Sequence, residues 1–195
     1  GHLARAGHDV TVFNRTRARA DAWAANYKGR IAPSPAEAAQ GAEFVLACVG
    51  RDEDVREVTT GAGGAFAAMA PGAVFIDHTT ASAGLARELA GCAAKAGIGF
   101  LDAPLSGGQA GAEKGALTIM VGGEPHTYAI ALPILQTYAR AVRHLGAAGS
   151  GQLCKMVNQI CLAGTIQGLA EALHFAESAG LDAAAVFDTI SKGAA

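Results

Sequence analysis

Lys155 is followed three and four residues later by two amides, Asn158 and Gln159, a spacing that puts all three polar side chains on one face of a helix. The surrounding run is apolar, and no acidic residue follows until Glu171. Two readings fit. As structure, a lysine on a core helix lays its stem along apolar surface and carries its ammonium to water. As chemistry, a lysine partly withdrawn from water has its pKa pulled down and can pass a proton to or from a substrate oxygen, while the amides fix the ammonium without adding charge. The spacing alone does not choose between them. Upstream, Ser106-Gly107-Gly108 offers a second kind of chemistry. Glycines let a ligand carboxylate approach backbone N–H groups, and a serine hydroxyl adds a donor. By itself the triplet marks a turn. No histidine or carboxylate stands in a motif relationship to Ser106, so a nucleophilic role is not implied.

The text around these residues is more specific. It runs Asp102-Ala103-Pro104-Leu105-Ser106-Gly107-Gly108 through to Gly122-Gly123, then Gly149-Ser150-Gly151-Gln152-Leu153-Cys154-Lys155-Met156-Val157-Asn158-Gln159. In order and spacing this closely resembles the β-hydroxyacid dehydrogenase family, particularly its 3-hydroxyisobutyrate dehydrogenase and tartronate semialdehyde reductase members. The resemblance covers the whole chain. It implies an oxidoreductase that moves a hydride reversibly between NADP(H) and a small β-hydroxyacid or its semialdehyde, and that forms a homodimer or a higher homo-oligomer at full length. By the same resemblance, Lys155 is the general acid in reduction and general base in oxidation, and Asn158 holds the lysine and the substrate oxygen. Ser106, Gly107 and Gly108 bind the substrate carboxylate. Gln159 stands where the family often has a second Asn; it keeps the amide but adds a methylene, so either amide can carry the role.

Cofactor choice is read from the end of the second strand, where an acidic residue bonds the ribose hydroxyls and a basic one accommodates a 2′-phosphate. Here the strand ends Phe13-Asn14-Arg15-Thr16, with no Asp or Glu, and resembles family members that use NADP. NAD stays open, because Asn14 and Arg15 also suit a plain solvated turn. Val49 and Gly50 fall where the family has a Leu-Pro or similar pair beside the ribose and nicotinamide, and Gly50 departs from that pattern. Asp77-His78-Thr79-Thr80 resembles the family's Asp-x-Ser-Thr turn and makes Thr80 the residue expected near the nicotinamide, with Thr79 as its neighbour. A strand-to-helix N-cap explains both threonines as well.

The elements that must position these residues alternate strand and helix, the signature of a parallel sheet covered by helices. Strands are expected at residues 9–13, 42–49, 73–77, 98–102, 117–121 and 141–145, with helices at 17–27, 52–58, 81–96 and 125–138. After residue 148 the pattern becomes one long helical stretch, 152–179, with apolar positions near helical spacing. The expected fold is therefore α/β: a Rossmann-type dinucleotide-binding domain over residues 1–148, followed by the N-terminal part of an all-helical domain over 149–195. Gly1-His2-Leu3-Ala4-Arg5-Ala6-Gly7 reads as the last turns of a first helix stopped by Gly7. The strand and Gly-rich phosphate turn that should precede it are expected outside this chain, as are further helices at its end, giving a gene product of roughly 290 residues by the usual size of two such domains.

Composition agrees with this class. The 195 residues are 51% hydrophobic, with 15 basic and 17 acidic residues and a net charge of −2. They are enough to bury a core, and the scattered charges lack the basic patch of a nucleic-acid binder. No apolar run reaches the length of a spanning helix and no signal-peptide pattern opens the chain, so no membrane association and a cytoplasmic location are expected. Cys48, Cys92, Cys154 and Cys161 lack metal or disulfide spacing and are expected as buried free thiols; the six histidines are equally dispersed, and no metal site is expected. Two rivals share the fold: a non-catalytic scaffold or binding relative, and an imine reductase, which places a different proton donor at the lysine position. The presence of Lys155 argues against both.

Overall fold

The computed structural model describes residues 1–193. They form two compact units that divide between Lys155 and Met156. In the first unit the elements are α1 (His2–Arg5), β1 (Thr11–Val12), α2 (Arg17–Ala24), β2 (Arg30–Ile31), α3 (Pro35–Ala39), β3 (Phe44–Ala47), α4 (Asp52–Thr59), β4 (Val74–Asp77), α5 (Ala83–Lys95), β5 (Gly99–Asp102), β6 (Leu105–Ser106), α6 (Gly108–Lys114), β7 (Leu117–Gly123), α7 (Pro125–Gln136), β8 (Ala139–Gly146) and the start of α8 (Ser150–Ser178). Each expected strand and helix is present with its ends shifted by at most three residues: most are shorter than expected, whereas α4, β7 and β8 run longer and α8 starts two residues earlier. Short elements without a clear period were not expected: β2, α3, β6 and α6. Of these, α3 carries a legible signal. Ser34 precedes Pro35, and its hydroxyl accepts the N–H of Glu37 at 3.2 Å, a capping arrangement. Ser82 caps α5 in the same way through Leu85 N–H at 3.0 Å.

The sheet corrects one expectation. β3, β4 and β5 are parallel, but β7 runs antiparallel to both β5 and β6 and parallel to β8, so the sheet is mixed. The chain stays at the C-terminal end of β5 through β6 and α6, and so enters β7 from that end. β1 and β2 form a separate parallel pair.

Alternation along the strands divides the core between the two faces of the larger sheet. Phe75 and Phe100 pack with Leu85 and Leu89 of α5 on one face. Val74, Ile76 and Leu101 pack with Ile119, Val121 and Leu135 on the other. β4 is buried at all four positions, as expected for a central strand covered on both sides. Truncating a fully buried residue such as Leu89 costs on the order of 2–5 kcal/mol.

The second unit contains the rest of α8 and, after a left-handed Gly180 (φ 77°), α9 (Ala183–Ile190). The Asp182 carboxylate caps α9 by accepting Ala184 N–H at 2.9 Å. Val157, Ile160, Leu162, Ile166 and Phe175 are all exposed along α8.

Candidate active site

Asp102, the last residue of β5, is fully buried. Its Oδ1 accepts Gly149 N–H at 2.7 Å and its Oδ2 accepts Gln152 N–H at 2.9 Å. These amides belong to the unsatisfied N-terminus of α8, so a carboxylate nearly fifty residues upstream caps the helix that carries Lys155. Burial pushes the Asp102 carboxyl above its ordinary range, against the pull of the Gly149 and Gln152 amides, which favour its charged form. The glycines make the approach possible. Gly149 has φ 93°, and a Cβ on Gly151 would overlap the Met120 carbonyl oxygen. The buried Gln152 side chain completes the seat, donating to the Thr79 carbonyl at 2.7 Å and accepting Ala81 N–H at 3.1 Å.

One turn along α8, half-buried Lys155 donates from Nζ to the Leu105 carbonyl at 2.7 Å. Leu105 immediately precedes Ser106, so the structure brings the lysine to the strand that carries Ser106-Gly107-Gly108. That triplet is not a plain turn, as read in isolation: Ser106 ends β6, and Gly107 and Gly108, both at positive φ (129° and 60°), lead into α6. Asn158 and Gln159 follow on α8 within the second unit, the first half-buried and the second exposed.

The residues expected to face the cofactor lie elsewhere. Asn14, Arg15, Thr16, Val49 and Gly50 all line one crevice of about 1110 Å³, which runs the length of β1 and β3. β1 and β3 also line it, and neither has a strand partner on its second edge among the described residues. The Asn14 side chain accepts Thr16 N–H at 2.9 Å and shapes the turn. Arg15 reaches Asp54 at 3.3 Å with its side chain 81% exposed. Thr79 and Thr80 divide by burial. Thr79 is buried and its hydroxyl accepts Val49 N–H at 3.0 Å, whereas Thr80 is exposed and its hydroxyl is free to meet a ligand.

Two further buried groups were not anticipated from the sequence. Asp77 accepts Thr79 N–H at 2.9 Å, and burial pushes its carboxyl up to about 6. His78 lies between the Ala103 carbonyl, 2.7 Å from Nδ1, and the Tyr138 hydroxyl, 2.8 Å from Nε2. A carbonyl only accepts, so Nδ1 carries the proton and Nε2 receives the Tyr138 hydroxyl. Burial lowers His78 to about 4 and raises Tyr138. Asp77 ends β4 and His78 follows it, and only that place in the chain could have pointed to them. The cysteines correct a second expectation. All four are free, but Cys48 and Cys161 are exposed and Cys92 and Cys154 only partly buried: Cys48 stands on the crevice wall, and Cys161 lies on the uncovered length of α8. Among the described residues, no three His, Cys, Asp or Glu side chains come together as a metal site.

Comparison with known proteins places the fold. Residues 1–146 match the NAD binding domain of 6-phosphogluconate dehydrogenase, and residues 149–195 match the family described as NAD-binding of NADP-dependent 3-hydroxyisobutyrate dehydrogenase. The chain is 55% identical, over its full length and 67% of the relative's, to an uncharacterized oxidoreductase of Shewanella frigidimarina. It is 40% identical, over its full length and 64% of the relative's, to a probable mitochondrial 3-hydroxyisobutyrate dehydrogenase-like protein of Arabidopsis thaliana. A solved structure of Mycobacterium tuberculosis 3-hydroxyisobutyrate dehydrogenase with L-serine superposes with a TM-score of 0.89 at 37% identity, covering 99% of this chain and 65% of that one. The chain thus spans about two thirds of the length of these relatives. It belongs to the β-hydroxyacid dehydrogenase family, with a Rossmann-like domain of the 6-phosphogluconate dehydrogenase type.

Proposed function

We propose that the full-length protein is an NADP-dependent dehydrogenase that interconverts a small β-hydroxyacid and its semialdehyde, with Lys155 as the proton-transferring residue. The observation that carries this reading is the 2.7 Å contact of Lys155 Nζ with the Leu105 carbonyl. It ties an ammonium to the backbone beside Ser106-Gly107-Gly108, where a carboxylate can meet open N–H groups and a hydroxyl. A substrate held there by its carboxylate presents its β-oxygen to Nζ, which donates a proton to it in reduction and takes one from it in oxidation. Asn158 and Gln159, one turn further along α8, are the amides assigned to the substrate oxygen. The solved relative with L-serine, itself a β-hydroxyacid, supports this substrate class.

The residues present fit a nicotinamide dinucleotide. The Asn14-Arg15-Thr16 turn and Val49-Gly50 follow the C-terminal ends of β1 and β3, the ends at which open α/β sheets take ligands. Arg15 offers a guanidinium to a 2′-phosphate, Thr16 a hydroxyl, and Thr80 an exposed hydroxyl near the nicotinamide position. The bound nicotinamide supplies or accepts the hydride. The domain boundary is assigned at residues 148 and 149, although the first turns of α8 pack with the first unit. The test is a steady-state survey of the full-length protein with semialdehydes and β-hydroxyacids against NADPH and NADH. Turnover of at least one carboxylate-bearing semialdehyde, faster with NADPH, is expected. An enzyme that reduced only cyclic imines would overturn the assignment.

A further inference from the structure

We infer that Asp102 is a positioning residue for Lys155, acting through the helix N-terminus rather than on the substrate. This rests on the assignment of Lys155 as the proton-transferring group. The Asp102 carboxylate is buried and bonded to the N–H groups of Gly149 and Gln152 at 2.7 and 2.9 Å. It stands three residues before Leu105, whose carbonyl receives Lys155 Nζ. The segment from the end of β5 to the start of β6 therefore grips the helix twice, by the Asp102 side chain at the first turn and by the Leu105 backbone at the lysine. Leu105 also leads directly into Ser106, so both grips register the ammonium against the carboxylate-binding segment.

The environment of Asp102 is built for this contact. A Cβ on Gly122 would fall 2.5 Å from Asp102 Oδ1, and one on Gly151 would crowd Asp102 Oδ2 at 2.9 Å as well as the Met120 carbonyl. The Gly149-Ser150-Gly151 turn and the Gly122-Gly123 end of β7 are thus two walls of a slot that fits one carboxylate between backbones. Without it, two buried amide donors lose their acceptor, and the first turn of α8 is free to shift. A displacement of about 1 Å at a proton-transferring group suffices to cost roughly 10²-fold in rate.

The experiment compares Asp102→Asn and Asp102→Ala with the parent in the full-length protein, well below the melting temperature of each. Positioning predicts a fall in kcat of roughly 10- to 100-fold with KM for NADPH unchanged, the Asn variant retaining one acceptor and falling less than Ala. It also predicts faster reductive methylation of Lys155, read by mass spectrometry on the cofactor-free protein, because the ammonium is released from Leu105. Parental kcat, or an unchanged methylation rate at Lys155, would overturn the inference. The methylation arm separates the two claims: if Lys155→Ala keeps its activity, the functional assignment fails while the labelling still decides whether Asp102 holds the lysine. If neither variant folds, Gly151→Ala displaces the helix start with the carboxylate intact and must give the same two signatures. Should that also fail to fold, rapid hydrogen exchange at the Gly149 and Gln152 amides of the parent would refute the contact.

Discussion

The two ends of the candidate site are fixed by opposite means. At the proposed substrate end the tethers are short and at least partly buried: a buried carboxylate caps α8, a buried glutamine bridges to the Thr79 carbonyl, and Lys155 is tied to Leu105. At the proposed cofactor end, Arg15 stands in solvent beside Asp54, an ion pair worth little in itself. Proton transfer needs its donor placed to a fraction of an ångström, whereas a phosphate can be met by a mobile cation that folds over it. Substitutions at the buried end should therefore act on rate, and those at the open end on cofactor affinity and choice.

The largest expected effect is at Lys155. In the full-length protein, Lys155→Ala should lower kcat by a factor on the order of 10² to 10⁴, the usual worth of positioned acid–base catalysis, while NADPH affinity changes little. Lys155→Arg should rescue poorly, since a guanidinium keeps its proton near neutral pH. Parental kcat in Lys155→Ala, with only a lower melting temperature, would return the lysine to the role of a snorkelling side chain and erase the contrast between the two ends.

At the open end, Arg15→Asp should reduce the kcat/KM ratio of NADPH over NADH by roughly 10- to 100-fold, the equivalent of about one charge-assisted hydrogen bond, with kcat at saturating cofactor nearly unchanged. Equal use of both cofactors by the parent would remove the basis of the NADP assignment.

How much of this was legible from sequence follows the same division. The buried strands and long helices show through their hydrophobic runs, and the two motifs flagged Lys155 and Ser106 to Gly108. What stayed hidden is the contact that joins the motifs. Asp102 reads as an unremarkable strand terminus, because a cap supplied from a distant strand leaves no local spacing to recognise. Gln152 and His78 are hidden for the same reason: their partners, Thr79, Ala81, Ala103 and Tyr138, lie 25 to 73 residues away. The cysteines were misread because an apolar local run does not say whether anything packs on it.

The second unit offers a further test. Ile160 and Phe175 are 71% and 72% exposed on α8, and a helix apolar on several faces needs cover. The isolated 195-residue chain should self-associate in sedimentation experiments, and Ile160→Glu with Phe175→Glu should reduce that association at least several-fold. If the bare edges of β1 and β3 drive it instead, the double variant will associate as before. A stable parent monomer would show that neither surface is adhesive.

The smallest effect separates the two buried titrating groups at the end of β4, Asp77 and His78. Asp77 has an ordinary value of 3.8 and is raised to about 6, so its contribution favours the folded chain below pH 3.8 and is lost as pH rises through 6. His78 has an ordinary value of 6.5 and is lowered to about 4; its contribution is present above pH 6.5 and is lost as pH falls through 4. Between about pH 4 and 6 the two slopes are opposed, each at most about 1.4 kcal/mol per pH unit, and nearly cancel. Asp77→Asn removes one of them and leaves the other groups in place. Relative to the parent, the variant should be weakest near pH 4 and recover by roughly 1 kcal/mol per unit up to pH 6, measured as the difference in urea unfolding free energy. A pH-independent difference would mean that Asp77 titrates alike in the folded and unfolded chains, and that the hydrogen bond to Thr79 N–H just offsets burial at the end of β4.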